Sequence, residues 1–138
     1  MQREFELIEF VQRGDDRGHL VAIEGLKNIP FEIKRVFYIY GSDGNVIRGQ
    51  HANRKSEFVL INIAGQSKVR IDDGHGNETI VPLEHPHIGL YIPRMLWKEM
   101  YGFSVDSVLL VLSSEYYDAD EYIRDYDTYV TEIRNACK

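Results

Sequence analysis

The groups able to do chemistry concentrate in one run of this sequence, Arg48-Gly49-Gln50-His51-Ala52-Asn53-Arg54-Lys55-Ser56-Glu57. His51 is its only imidazole, and a side chain with an unperturbed pKa of roughly 6.5 can take and return a proton at neutral pH. Residues two apart on a strand share a face, so His51 and Asn53 are expected to point the same way. Glu57 joins them if no bulge intervenes. The amide of Asn53 cannot titrate, but it can hydrogen-bond a hydroxyl or a developing oxyanion. Further along, Trp97-Lys98-Glu99-Met100 brings an ammonium. Lys98 can stabilise negative charge, or shuttle a proton if burial lowers its pKa; equally, it can be an ion-pair partner of Glu57. Tyr38 is a weaker candidate for proton donor, with core burial the competing reading. For His51 the competing reading is a buried imidazole satisfied by a neighbouring acceptor.

These residues need a scaffold, and the pattern around them predicts an antiparallel β-fold. Runs rich in Val, Ile, Leu, Phe and Tyr at 35–40, 57–64, 67–72, 88–93 and 107–112 alternate with Gly-, Asp- and Asn-containing turns. Asp72-Asp73-Gly74-His75-Gly76-Asn77 predicts a hairpin, because its glycines supply the positive φ that reversals need. After Asp118 the period changes. Tyr122, Ile123, Tyr126, Tyr129, Val130 and Ile133 recur at helical spacing and predict a C-terminal helix over about 118–136, capped by Asp118 or Asp120, with Glu121 at its positive end. One domain, 1–138, is expected, with the barrel over about 1–113.

Composition narrows the function classes. The 138 residues are 43% hydrophobic and 28% charged, as in a globular protein, with nine Tyr and six Phe to fill a core. A formal charge of −6 disfavours nucleic acid and anionic lipid as partners. No apolar run has the length of a signal peptide or of a membrane span, so a cytoplasmic location is expected. The single cysteine, Cys137, can close no internal disulfide and reads as an inert thiol.

The run around His51 and the segment Gly89-Leu90-Tyr91-Ile92-Pro93-Arg94-Met95-Leu96-Trp97-Lys98-Glu99-Met100 resemble the paired signatures of the cupin family. That resemblance implies a jelly-roll barrel. Metal-binding cupins use three histidines and a glutamate there, whereas this chain has His51 and Glu57 but carries Asn53 and Lys98 at the other two positions. An amide oxygen is a poor transition-metal ligand beside imidazole and an ammonium has no lone pair, so no metal is expected. His85 and His87 sit in a turn-like Glu84-His85-Pro86-His87 and read as surface histidines.

The resemblance narrows further on Asp16-Arg17-Gly18-His19-Leu20, Asn28-Ile29-Pro30-Phe31, Arg48-Gly49-Gln50-His51-Ala52, Trp97-Lys98-Glu99-Met100 and Ser114-Glu115-Tyr116-Tyr117-Asp118. In these stretches the chain is similar to the sugar-nucleotide 3,4-ketoisomerases that act on TDP-4-keto-6-deoxyglucose. The resemblance implies a small homodimeric enzyme. It would move the keto group of a dTDP-linked 4-keto-6-deoxyhexose from carbon 4 to carbon 3 through an enediolate, with no cofactor, on the way to amino-deoxysugars of lipopolysaccharide and other glycans. His51 is then the base, Lys98 and Tyr38 assist, and Asn53, Glu57 and Trp97 contact the substrate. Arg17, Arg35, Arg48 and Arg94 are candidates for the diphosphate, since guanidinium forks suit phosphate oxygens. Family members carry a second histidine where this chain has Asn53, and a third where it has Lys98. Three alternatives follow: a 3,5-epimerase on the same substrate class, a non-catalytic nucleotide-sugar-binding cupin, and a metal-dependent cupin oxygenase.

Overall fold

The computed structural model describes residues 4–136; Cys137 lies outside them. Two five-stranded antiparallel sheets face each other. The first has the order β1 (Glu6–Glu9), β9 (Ile88–Ile92), β6 (Phe58–Ala64), β11 (Val108–Ser113), β4 (Arg35–Tyr40). The second runs β12 (Tyr122–Ile123), β5 (Arg48–Asn53), β10 (Trp97–Tyr101), β7 (Ser67–Asp72), β8 (Glu78–Leu83). A separate hairpin, β2 (Gln12–Asp15) and β3 (Gly18–Val21), completes the strands. This is the jelly-roll arrangement that the sequence resemblance implied.

The inner faces of both sheets supply one core, in which Phe58, Leu60, Val69, Ile71, Leu90, Ile92, Leu109 and Val111 interdigitate. The period-2 alternation of each strand decides which residues reach it. On the outer face of the first sheet a second cluster, including Phe10, Ile29, Phe31, Val59, Ile61 and Tyr91, forms under the segment that leads into β4. A third cluster covers the second sheet, where Ala52, Trp97, Ile123, Tyr129 and Ile133 pack together. Burying an aromatic such as Tyr129 removes on the order of 200 Å² from water, worth up to about 5 kcal/mol. Gly74, in the β7–β8 hairpin, has φ +81, and a Cβ there would lie 3.0 Å from Ile133 Cγ1, so helix and hairpin meet backbone to side chain.

The C-terminal segment departs from the expected single helix. Asp118 does cap, accepting from the Asp120 amide at 3.0 Å, but what it caps is one 3-10 turn, Ala119–Glu121. Tyr122 and Ile123 then extend and pair with Asn53 and Ala52 of β5. The α-helix, α1 (Tyr126–Ala136), starts after Asp125, whose carboxylate accepts from the Thr128 amide at 2.9 Å and the Thr128 hydroxyl at 2.8 Å. Burial of Ile123 and the sheet pairing outweigh local helical spacing. No helix of the described residues is long and apolar enough to cross a membrane.

Candidate active site

The site is shaped by a bulge in β5. His51 pairs with Lys98 and Gly49 with Glu99, which leaves Gln50 as the extra residue. Both Gly49 (φ 85) and Gln50 (φ 56) adopt the left-handed region. At Gly49 a Cβ would come within 3.0 Å of the Lys98 carbonyl oxygen, so the close approach of β10 requires glycine. Strict alternation would set Arg48 and His51 on opposite faces; the bulge turns both into the same cavity.

That cavity, about 220 Å³, opens between the sheets. Arg35, Phe37 and Ile39 of β4 form one wall and Arg48, Gly49 and His51 of β5 the other, with Phe58, Leu60, Lys98 and Met100 at the floor and Tyr117, Tyr122 and Arg124 at the rim. No carboxylate is among the lining residues. Arg35, Arg48 and Arg124 form no ion pair among the described residues; Arg35 lies 4.5 Å from the Phe37 ring centre and Arg124 lies 4.7 Å from that of Tyr122. The larger surface groove, about 720 Å³ between the β7–β8 turn and α1, has only exposed titratable groups in His75, Tyr126, Asp127 and Arg134. Chemistry therefore favours the smaller cavity.

Lys98 is 4% exposed. Its Nζ donates to Asn53 Oδ1 at 3.0 Å and sits 4.6 Å from the Phe58 ring centre. Burial pushes its pKa down to about 7, opposed by the charge of Glu121. The His51 ring lies 4.8 Å from Tyr122, and its Nδ1 is buried with no partner in hydrogen-bond geometry. Burial first, then the Lys98 charge and more weakly Arg124, push His51 down to about 3 against the raising effect of the Gly49 backbone. One uncharged imidazole and one amine that straddles neutrality thus face a basic pocket.

The expected site residues divide. His51, Lys98, Arg35 and Arg48 line the cavity, and Asn53 lies behind Lys98. Tyr38 does not: on β4 the residues facing inward are Arg35, Phe37 and Ile39, while Tyr38 is 61% exposed and stacks on Tyr40. Glu57 makes no ion pair with Lys98. It shares a face with Val59 and Ile61, outside the cavity, and accepts from the Tyr91 hydroxyl. Trp97 points away from Lys98, as strand neighbours must, packing beside Tyr126 and Tyr129 and donating to Glu99 Oε2. Arg17 is at the exposed β2–β3 turn, paired with Asp15, and Arg94 is exposed and donates to the Arg54 carbonyl. Two members were missed, Arg124 at the rim and buried Glu121 behind Asn53. Both arrive through the β12–β5 pairing, which joins segments distant in sequence.

A single imidazole, an amide and an ammonium are a poor donor set for a transition metal. Among the described residues no group of three or more His, Cys, Asp or Glu is placed to hold one.

Residues 3–134 match the family model described as FdtA: WxcM-like, C-terminal. The chain is 48% identical, over 91% of its length and 90% of the relative's, to a TDP-4-oxo-6-deoxy-alpha-D-glucose-3,4-oxoisomerase of Aneurinibacillus thermoaerophilus. It is 44% identical to QdtA, a sugar 3,4-ketoisomerase from Thermoanaerobacterium thermosaccharolyticum solved in complex with TDP, at a TM-score of 0.94 over 99% of this chain and 98% of that one. A dTDP-sugar 3,5-epimerase from Legionella pneumophila shares the fold at a TM-score of 0.72 and 19% identity, over 86% of this chain and 71% of its own.

Proposed function

The chain belongs to the FdtA family, and on that premise we propose that it is a TDP-sugar 3,4-ketoisomerase, which moves the keto group of a dTDP-linked 4-keto-6-deoxyhexose from carbon 4 to carbon 3. The observation that carries the assignment of roles is the pairing of His51 and Lys98 on one carboxylate-free cavity flanked by three arginines.

The proton on carbon 3 is acidic because the neighbouring carbonyl delocalises the charge left behind. His51, uncharged in this pocket, accepts that proton. The resulting enediolate carries its charge on the two oxygens of carbons 3 and 4, where the Lys98 ammonium stabilises it. The hydroxyl proton on the carbon-3 oxygen passes to the carbon-4 oxygen, and return of a proton from His51 to carbon 4 leaves a carbonyl at carbon 3 and a hydroxyl at carbon 4, so electrons and atoms balance with no external oxidant or reductant. Asn53 does not titrate; it fixes Lys98 through their 3.0 Å hydrogen bond. Arg35, Arg48 and Arg124 take the diphosphate. The anion then offsets the positive field of the pocket and raises the proton affinity of both His51 and Lys98, so the substrate strengthens its own base. The functional unit is a homodimer, and its place is the cytoplasmic synthesis of deoxysugars for surface glycans.

The test is incubation with TDP-4-keto-6-deoxyglucose in deuterated water, followed by NMR. A carbonyl that appears at carbon 3, with deuterium at carbon 4, supports the isomerase. A carbonyl that stays at carbon 4, with label at carbons 3 and 5, would mark an epimerase instead.

A further inference from the structure

Glu121 is 3% exposed, and its hydrogen bonds go to neither member of the catalytic pair. Its Oε1 accepts from Asn53 Nδ2 at 2.8 Å and the Ser56 amide at 3.0 Å, and its Oε2 accepts from the Ser56 hydroxyl at 2.7 Å. Every partner is a donor, which suits an acceptor-only carboxylate. The amide of Asn53 has one orientation open to it, since a carboxylate can only accept and an ammonium can only donate. Its nitrogen faces Glu121 and its oxygen faces Lys98. Lys98 and Glu121 therefore occupy the two ends of a single amide, in an interior where a charge without a counter-charge is costly.

We propose that Glu121 is a positioning residue of this site, holding the Asn53 amide in the orientation that receives the Lys98 ammonium and supplying the counter-charge that keeps Lys98 protonated for the reaction. The proposal rests on the reading of Lys98 as the group that stabilises the enediolate. The other charged or titratable groups facing Lys98 are His51 and Arg48 from β5, Arg35 from β4, and Tyr117, Tyr122 and Arg124 from the C-terminal segment. β7 offers only the apolar Ile71 opposite Lys98. Among these groups Glu121 is the one carboxylate, and burial already opposes the ammonium.

The test uses Glu121→Gln, which keeps the shape and the acceptor oxygen but removes the charge. Lysine labelled with 13C at Cε reports the titration of Lys98 by NMR without turnover. In Glu121→Gln the Lys98 midpoint is expected to fall by about one pH unit, and the alkaline limb of kcat to fall with it. Glu121→Asp restores the charge and is expected to return the midpoint toward the wild-type value. In a Lys98→Arg background, Glu121→Gln should leave the pH profile unmoved. A purely structural Glu121 would lower thermal stability and leave the midpoint where it was, which overturns the proposal. A midpoint that falls while the kcat limb stays fixed would uphold the role of Glu121 and reject that of Lys98. If Glu121→Gln does not fold, Asn53→Ala, which cuts the same link and leaves Glu121 on Ser56, is expected to lower the midpoint; an unchanged midpoint there overturns the proposal as well.

Discussion

The two faces of β10 are built to opposite standards. On its outer face Trp97 lies against Tyr126 and Tyr129, and the polar ends are matched. Tyr129 donates to the Asp72 carbonyl at 3.0 Å and to the Met95 carbonyl at 2.9 Å, while Tyr126 donates to the Asp72 carboxylate at 2.7 Å. On the inner face, one residue on, Lys98 is buried with a single amide oxygen as acceptor, next to an imidazole nitrogen without a partner. The outer face does what folding favours. The inner face holds groups whose desolvation opposes folding, and such departures are where chemistry is found.

The contrast can be broken in order of effect. Replacing His51 by Asn should lower kcat by roughly 10²–10⁴, the usual contribution of a general base, while the melting temperature stays close to that of the parent. A rate within tenfold of the parent would remove His51 from the mechanism. Replacing Trp97 by Ala should do the reverse, costing about 3–5 kcal/mol of stability in a denaturant titration, with a much smaller effect on the kcat of the folded fraction.

A subtler difference concerns Lys98→Met. The proton affinity of Lys98 is depressed from 10.5 to about 7 on folding, so between those values the unfolded chain binds a proton that the folded chain has released. Stability must then rise with pH. Between pH 7 and 9 the wild type should gain about 2 kcal/mol relative to Lys98→Met, measured by urea unfolding at each pH. Parallel stability curves for the two proteins would show that the ammonium is not desolvated. The smallest effect is expected at Tyr38→Phe, on the outward face of β4: kcat and KM should stay within about twofold, as for exposed substitutions remote from a site.

How much of this was legible follows from the range of each interaction. Strands β4 and β7 are found where local β-branched and aromatic runs predicted them, and the inward pairing of His51, Asn53 and Lys98 follows from alternation and a familiar spacing. The bulge at Gly49 and Gln50 leaves no signal in the sequence beyond one glycine, which hid the shared facing of Arg48 and His51. Glu57 and Tyr38 lie outside the cavity for a related reason. Proximity in sequence says little about facing once a loop or one step of alternation intervenes. Glu121 stood among acidic residues that fit a helix start, and only the non-local β12–β5 pairing draws its carboxylate inward.

That short pairing sets the order of events in biosynthesis. A chain made from its N-terminus exposes all strands through β11 before Glu121 and Arg124 leave the ribosome, so a nascent barrel can close around its apolar centre while the rear of the pocket stays wet. Competence then arrives as a late docking step spanning 68 residues between Asn53 and Glu121. The same step seals Trp97 beneath the tail, so its fluorescence should change in the same kinetic phase in which turnover first appears.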